Sequence, residues 1–283
     1  MLNLFILLLS SNSCRSAYIN VLNDNFSNLN NWVADVLPGA NTGNNEWEYY
    51  TSRSTNVAVV STQYGNALQL KAQKESYQGY NYTSGKVHSA KSWGPYGFFN
   101  IRALVPKGNG IWPAIWLLPP NAQTAYGTWA ACGEIDIMET VCGDNQGYST
   151  LHFGGEWPKN VQYPNGGKNA YPFTVDWSKP HYFGVEWQPT FMTFWFDASV
   201  VNGVVQGTQI FSIPSSQWYS LKTDGSRWPG NAPFNVPFNI ILNVAIGGNW
   251  PCGVGCCNNI AVPASMYVYN VQIWEQTQAE EEI

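Results

Sequence analysis

The chain has 283 residues, 14 of them Trp, 16 Tyr and 13 Phe, while only 11% are charged. That is enough for one large β domain or two small ones, with rings left over to line a groove. A formal net charge of −5 argues against nucleic acid or an anionic membrane as partner and gives no help in holding a polyanion. The partner that fits is a neutral polymer, and the expected state is a monomer.

Residues 2–10, Leu-Asn-Leu-Phe-Ile-Leu-Leu-Leu-Ser, have the apolar core of a signal peptide, followed by small polar residues through Ser16. The run is too short to span a bilayer. Residues 1–17 are therefore expected to direct secretion and be removed, although no Lys or Arg precedes the run; a buried N-terminal strand is the other reading. Sequons at Asn25-Phe-Ser27 and Asn81-Tyr-Thr83 are compatible with export. Glu46 and Glu48 form a pair of acids without a third partner, read as local structure or groove edge. Leu68, Leu70 and Ala72 alternate with Gln69, Lys71 and Gln73, which predicts a half-buried strand.

Gly110-Ile-Trp-Pro-Ala-Ile-Trp-Leu-Leu-Pro119, if extended, puts Trp112 and Trp116 on one face with Ala114 between them. The two rings would form either a stacking platform for pyranose rings or part of the core. Next comes Gly133-Glu-Ile-Asp-Ile-Met-Glu-Thr140, which crowds three acids among Ile135, Ile137 and Met138. In a strand Glu134 and Asp136 share a face, and one extra residue before Glu139 would return it to that face. Regular spacing separates the two Glu α-carbons by about 16 Å, and a bulge with inward lean brings the carboxyls to about 5–6 Å. Carboxyl pairs about 5–5.5 Å apart suit glycoside cleavage with retention, against about 6.5–9.5 Å for inversion. A solvent-facing acidic strand or a calcium site is the plainer alternative.

Of six cysteines, Cys14 lies near the expected cleavage zone. Cys132 with Cys142 is expected to brace the acidic strand, and Cys252 with Cys256 or Cys257 to close a small loop, with connectivity left open. Zinc is the rival, but no His lies near the cysteine-rich loop. Ser149-Thr-Leu-His152 reads as a strand, with His152 available to a sugar hydroxyl, to the acid, or to a structural role. His181–Trp187 and residues 191–197 are aromatic-rich strands. Asn202-Gly203 between valine pairs signals a two-residue hairpin. Asn239–Ile246 is almost wholly apolar and so central, Gly247-Gly-Asn-Trp-Pro251 offers Asn249 and Trp250 on a loop, and residues 266–274 form a last strand. No helical period exceeds a turn or two. The prediction is all-β: a two-sheet sandwich from about Tyr18 to Gln278, with 279–283 as a solvated acidic tail.

Gly133-Glu-Ile-Asp-Ile-Met-Glu139 resembles the bulged E-x-D-x-x-E signature of glycoside hydrolase family 16, in its laminarinase branch. The resemblance extends in order through Gly43-Asn-Asn-Glu46, Tyr49-Tyr-Thr-Ser-Arg53, Tyr82-Thr-Ser-Gly85, Tyr96-Gly97, Arg102, the tryptophan segment, Thr150-Leu-His152, Val185-Glu-Trp187 and Gly247-Gly-Asn-Trp-Pro251. It covers roughly residues 40–275. It implies a jelly roll with a concave cleft, acting on internal β-1,3-glucosidic bonds of a β-glucan with retention and with no cofactor or metal. By motif position Glu134 would be the nucleophile, Glu139 the acid/base, and Asp136 the group that positions Glu134. Trp112, Trp116, His152, Asn45, Lys86 and Asn249 would bind substrate. The charge on Glu134 is expected to raise the pKa of Glu139.

Departures matter. Asn25 and Tyr269 stand where the family has acids of a calcium site away from the cleft, so the resemblance does not carry calcium to this chain. Lys86 replaces a glycan-binding Arg and loses its bidentate fork. Phe98 and Asn100 replace an Arg and a Glu that the family has near the cleft, which predicts altered subsites. Other readings stay open: hydrolysis of mixed-linkage glucan, agar or carrageenan, transfer to a sugar instead of water, or glucan recognition without turnover. Recognition proteins of this fold typically lose the acids, and all three are present here.

Overall fold

Strand formation follows from side-chain alternation. In Gly65–Tyr77, Leu68, Leu70 and Ala72 are fully buried while Gln69, Lys71 and Gln73 are half-buried. The computed structural model describes residues 17–164 and 172–277; the N-terminal apolar run, Cys14 and the acidic tail lie outside them. Among the described residues an 11-stranded and an 8-stranded sheet dominate, and no helix is long and apolar enough to cross a membrane. Asn249–Gly253 is a short α-helix of 5 residues. The chain is an all-β jelly-roll sandwich.

The larger sheet has Val204–Pro214, Phe191–Val201, His181–Trp187, Gly97–Leu104, Ala264–Gln276 and Gly65–Tyr77 as successive neighbours. Its first hairpin is set by Asn202 (φ 51°) and Gly203 (φ 75°), both left-handed, between the pairs Val201–Val204 and Val200–Val205. Two positive-φ residues give the turn whose twist matches the strands. The smaller sheet runs Asn160–Tyr163, Gln146–Gly154, Glu134–Glu139, Ile111–Leu118, Asn239–Ile246, Lys86–Ser89 and Trp32–Ala34. Asn239–Ile246 is central, as its apolar run predicts.

The inner faces meet in one core. Trp187 of the larger sheet packs its ring 6.0 Å from Phe99 and 5.3 Å from Phe238, and its indole N–H donates to the Phe234 carbonyl at 3.0 Å. From the smaller sheet Ile115, Leu117, Ile135, Leu151, Leu242 and Val244 point into the same core. Their strand neighbours point the other way, and that outer face carries the cleft.

Several expectations are corrected. Phe98 and Asn100 lie in Gly97–Leu104 of the larger sheet, with Phe98 packed against Tyr18, Ala198 and Val205, and Asn100 donating to the Ala198 carbonyl at 2.9 Å. They face away from the shared core on the sheet opposite the cleft, so they do not set subsites. Cys132 is a buried free thiol, and the disulfides are Cys142–Cys256 and Cys252–Cys257. Cys132 and Cys142 sit beyond opposite ends of Glu134–Glu139, too far apart for a bridge that needs α-carbons within about 7 Å. Both oxygens of Asp24 accept protein donors: Phe26 N–H at 2.9 Å on one, the Asn31 amide and Trp32 indole at 3.0 Å on the other.

Candidate active site

The acidic strand carries the predicted bulge. Asp136 pairs with Thr150 and Glu139 with Tyr148, so the register shifts by one between them. On the other side Asp136 pairs with Trp116 and Met138 with Ile115, leaving Ile137 as the extra residue. Ile135, Ile137 and Met138 all enter the core. Two consecutive residues therefore face inward, and Glu134, Asp136 and Glu139 share the outer face.

Two adjoining hollows of about 260 and 290 Å³ make the cleft, and both are lined by Glu134, Glu139, Trp112, Trp129 and Asn44. The acid pair thus stands where the hollows meet. Lys86, Trp116, Asn243 and Glu46 line the first, and His152, Tyr148, Gln162 and Trp250 the second.

Indole N–H groups hold both glutamates: Trp112 donates to Glu139 Oε1 at 2.8 Å, and Trp129 to Glu134 Oε2 at 3.1 Å. His152 pairs in register with Glu134, and its Nε2 lies 3.3 Å from Asp136 Oδ2 and 3.9 Å from Glu134 Oε1. Trp116 donates to Asn243 Oδ1 at 2.8 Å, the Asn243 amide to Tyr50 OH at 3.2 Å, and Tyr50 OH to Glu46 Oε2 at 2.8 Å. This relay fixes the first hollow. Lys86 is buried, with its ammonium 5.1 Å from the Trp116 ring centre.

Burial lifts all three acids, Glu134, Asp136 and Glu139, to about 8. The Asp136 charge adds to the rise at both glutamates, while His152 and the Trp129 indole oppose it at Glu134 and the Trp112 indole opposes it at Glu139. Desolvation followed by Asp136, rather than the charge on Glu134, is what raises Glu139. Asp136 keeps 4% side-chain exposure against 15% for Glu134, and its Oδ2 has no hydrogen-bond partner. Carboxyls this crowded and dry cannot all ionise, so the group retains protons near neutrality. Ligand atoms of Glu134, Asp136 and His152 also fall within 4.8 Å of one another, a spacing compatible with a cation; the same atoms are those a proton-sharing carboxyl pair needs.

The remaining sequence candidates divide. Trp112, Trp116, Lys86 and His152 line the cleft. Asn45 and Asn249 are absent from the lining: the Asn45 amide donates to Asn249 Oδ1 at 2.9 Å, and Asn249 N–H to the Asn44 carbonyl at 2.7 Å. Asn249 and Trp250 open the short helix Asn249–Gly253 and not the loop expected, and this clip ties that helix to the loop at Asn45, presenting Asn44 and Trp250 instead. Trp250 meets Trp112 edge-on at 5.5 Å. Glu46 is the groove edge, and Glu48 is structural, fully buried and accepting Ile246 N–H at 2.7 Å. Sequence reasoning missed Trp129, Asn243, Tyr148 and Gln162. Asn243, a lone amide inside an apolar strand, was the one with a usable signal.

Residues 45–239 match the profile described as Glycosyl hydrolases family 16. Glucan endo-1,3-beta-glucosidase A1 of Niallia circulans is 35% identical over 249 residues, which is 83% of this chain but 33% of that longer protein. The beta-glucanase of Rhodothermus marinus is 32% identical over 249 residues, covering 86% of this chain and 78% of the relative. The X-ray structure of the laminarinase from Rhodothermus marinus superposes with a TM-score of 0.74 at 28% identity, over 93% of this chain and 99% of that one. With the bulged acid strand in place, the chain is a glycoside hydrolase and belongs to glycosyl hydrolases family 16.

Proposed function

We propose that the protein is a secreted, monomeric, endo-acting glucanase that cleaves internal β-1,3-glucosidic bonds with retention. The observation that carries this is the placement of Glu134 and Glu139 on one face, at the junction of two hollows. The lining runs across neighbouring strands from Lys86 to Gln162, which favours a chain bound through its middle. The β-glucanase and laminarinase names of the relatives support the substrate class.

In the first step the Glu134 carboxylate attacks the anomeric carbon. Glu139 gives its proton to the glycosidic oxygen, the bond between them breaks, and the sugar on the leaving side departs with its hydroxyl. Asp136, more deeply buried, holds the proton shared with Glu134, and the Trp129 indole N–H steadies the attacking carboxylate. Having given up its proton, Glu139 is left as the base for the second step. Glu139 then takes a proton from water, and the hydroxide formed displaces Glu134 with a second inversion.

Incubation with laminarin, lichenan, agarose and chitin, with products followed by chromatography and NMR, tests this. Laminari-oligosaccharides that first appear as the β-anomer are expected. Agarose-only cleavage would overturn the substrate, and an α-anomeric first product would overturn retention. Glu134→Ser should abolish hydrolysis and keep glucan binding. N-terminal sequencing of exported protein tests removal of residues 1–17, and light scattering tests the monomer.

A further inference from the structure

Beyond the acids, the aromatic lining continues past Trp129. Trp157 follows Glu156 on the turn after Gln146–Gly154, and it is 71% exposed. Its ring centre lies 6.2 Å from that of Trp129, with the planes tilted by 33°. The two rings therefore succeed one another along a path that begins at Glu134.

The turn that presents Trp157 is firmly held. Trp157 N–H donates to the Trp129 carbonyl at 3.0 Å, Gly155 N–H to the Lys159 carbonyl at 3.0 Å, and Lys159 N–H to the Glu156 carbonyl at 2.8 Å. Glu156 Oε1 accepts Thr128 N–H at 2.8 Å. A single exposed Trp is unremarkable, but this one walls a hollow of about 570 Å³, larger than either hollow at the acids. Across it stand Tyr126 and Trp228, edge to face at 5.5 Å. The hollow's Lys159 and Lys222 are matched by Glu156 and Asp224, and both carboxylates are already engaged, by Thr128 and Ser226 respectively. Balanced charge, occupied carboxylates and pre-ordered rings favour a ligand that is uncharged, with apolar faces.

We propose that this hollow is a distal binding site for the same neutral polysaccharide chain that the acids cleave, with Trp157 as its stacking platform. The proposal rests on the hydrolase reading and extends it: a chain long enough to pass Trp129 gains a further contact, and a short oligosaccharide spanning only the acids does not. Binding there holds substrate without touching the scissile bond, so it lowers KM and leaves kcat alone.

The test compares wild type, Trp157→Ala and Trp157→Phe on the polymer the wild type cleaves and on a short oligosaccharide of the same linkage. Trp157→Ala should raise KM for the polymer about three- to tenfold with kcat unchanged, leave short-substrate kinetics unaltered, and be partly rescued by Phe. Equal polymer KM in wild type and Trp157→Ala overturns the distal site and leaves the hydrolase reading standing. Losses on both substrates alike also overturn it, since they mark displacement of Trp129. A wild type that cleaves none of the polymers sinks the hydrolase reading and this site together.

Discussion

Trp112 donates its indole N–H to Glu139 Oε1 at 2.8 Å, so a ring that lines the cleft also orients the proton donor. This bond favours the charged carboxylate and lowers the pKa that burial has raised. Trp112→Phe removes it. The alkaline limb of the kcat/KM profile should then move to higher pH, because the acid holds its proton longer. Lost orientation should reduce kcat by about tenfold. An unmoved limb in a pH-rate profile would count against the role of this bond.

Glu139 must be protonated to release the leaving sugar, and its pKa is raised to about 8 by burial and by Asp136. Loss of that proton should therefore set the alkaline limb of wild-type activity, with a fall as pH passes about 8. A fall already complete near pH 6 would contradict this. Glu139→Ala should lower kcat by about 10²–10⁴-fold, and added azide should restore turnover as a β-glycosyl azide if Glu134 forms an ester first. An α-azide would exclude that intermediate.

Crowded acids make stability fall with rising pH. Folded Glu134, Asp136 and Glu139 hold protons up to about 8, above the ordinary 4.5 or 3.8. In that window the folded state binds more protons than the unfolded one, so their contribution is present at low pH and is lost as pH climbs through about 8. Asp136→Asn should raise Tm more at pH 8.5 than at pH 4, while lowering kcat. Equal Tm changes at the two values in calorimetry would show that Asp136 does not titrate as described.

Cys142–Cys256 spans 114 residues and ties the segment after the acidic strand to the segment just beyond the short helix that carries Trp250. Replacing both cysteines with Ser should cost about 3–5 kcal/mol in urea unfolding. It should also raise KM as Trp250 gains freedom beside Trp112. An unchanged unfolding midpoint would mean that the bridge constrains little.

Much of this was legible because it is local. The bulge follows from three acids and three apolar residues within Glu134–Glu139, and the hairpin from Asn202-Gly203 between valines. The central strand follows from its apolar run. What stayed hidden is set by distant pairing. Trp129 sits on a loop and finds Glu134 only once the sheet has placed both. Cysteine spacing favoured Cys142 as the near partner of Cys132, whereas the fold brings Cys256 to Cys142 from far along the chain and leaves Cys132 free. Asn45 and Asn249 have the chemistry of sugar ligands, but they are taken up in holding the Asn44–Asn45 loop to the short helix. Phe98 and Asn100 were mislocated because sequence order does not say which sheet a strand joins.

Asn239–Ile246 lies between Ile111–Leu118 and Lys86–Ser89 in the smaller sheet and supplies Asn243 and Ala245 to the cleft. A chain that stops short of Asn239 holds every carboxyl the chemistry needs, yet lacks the strand that completes the cleft floor. Closing that floor takes the pairing of Asn239–Ile246 with neighbours far earlier in the chain, a non-local contact of the kind that slows folding.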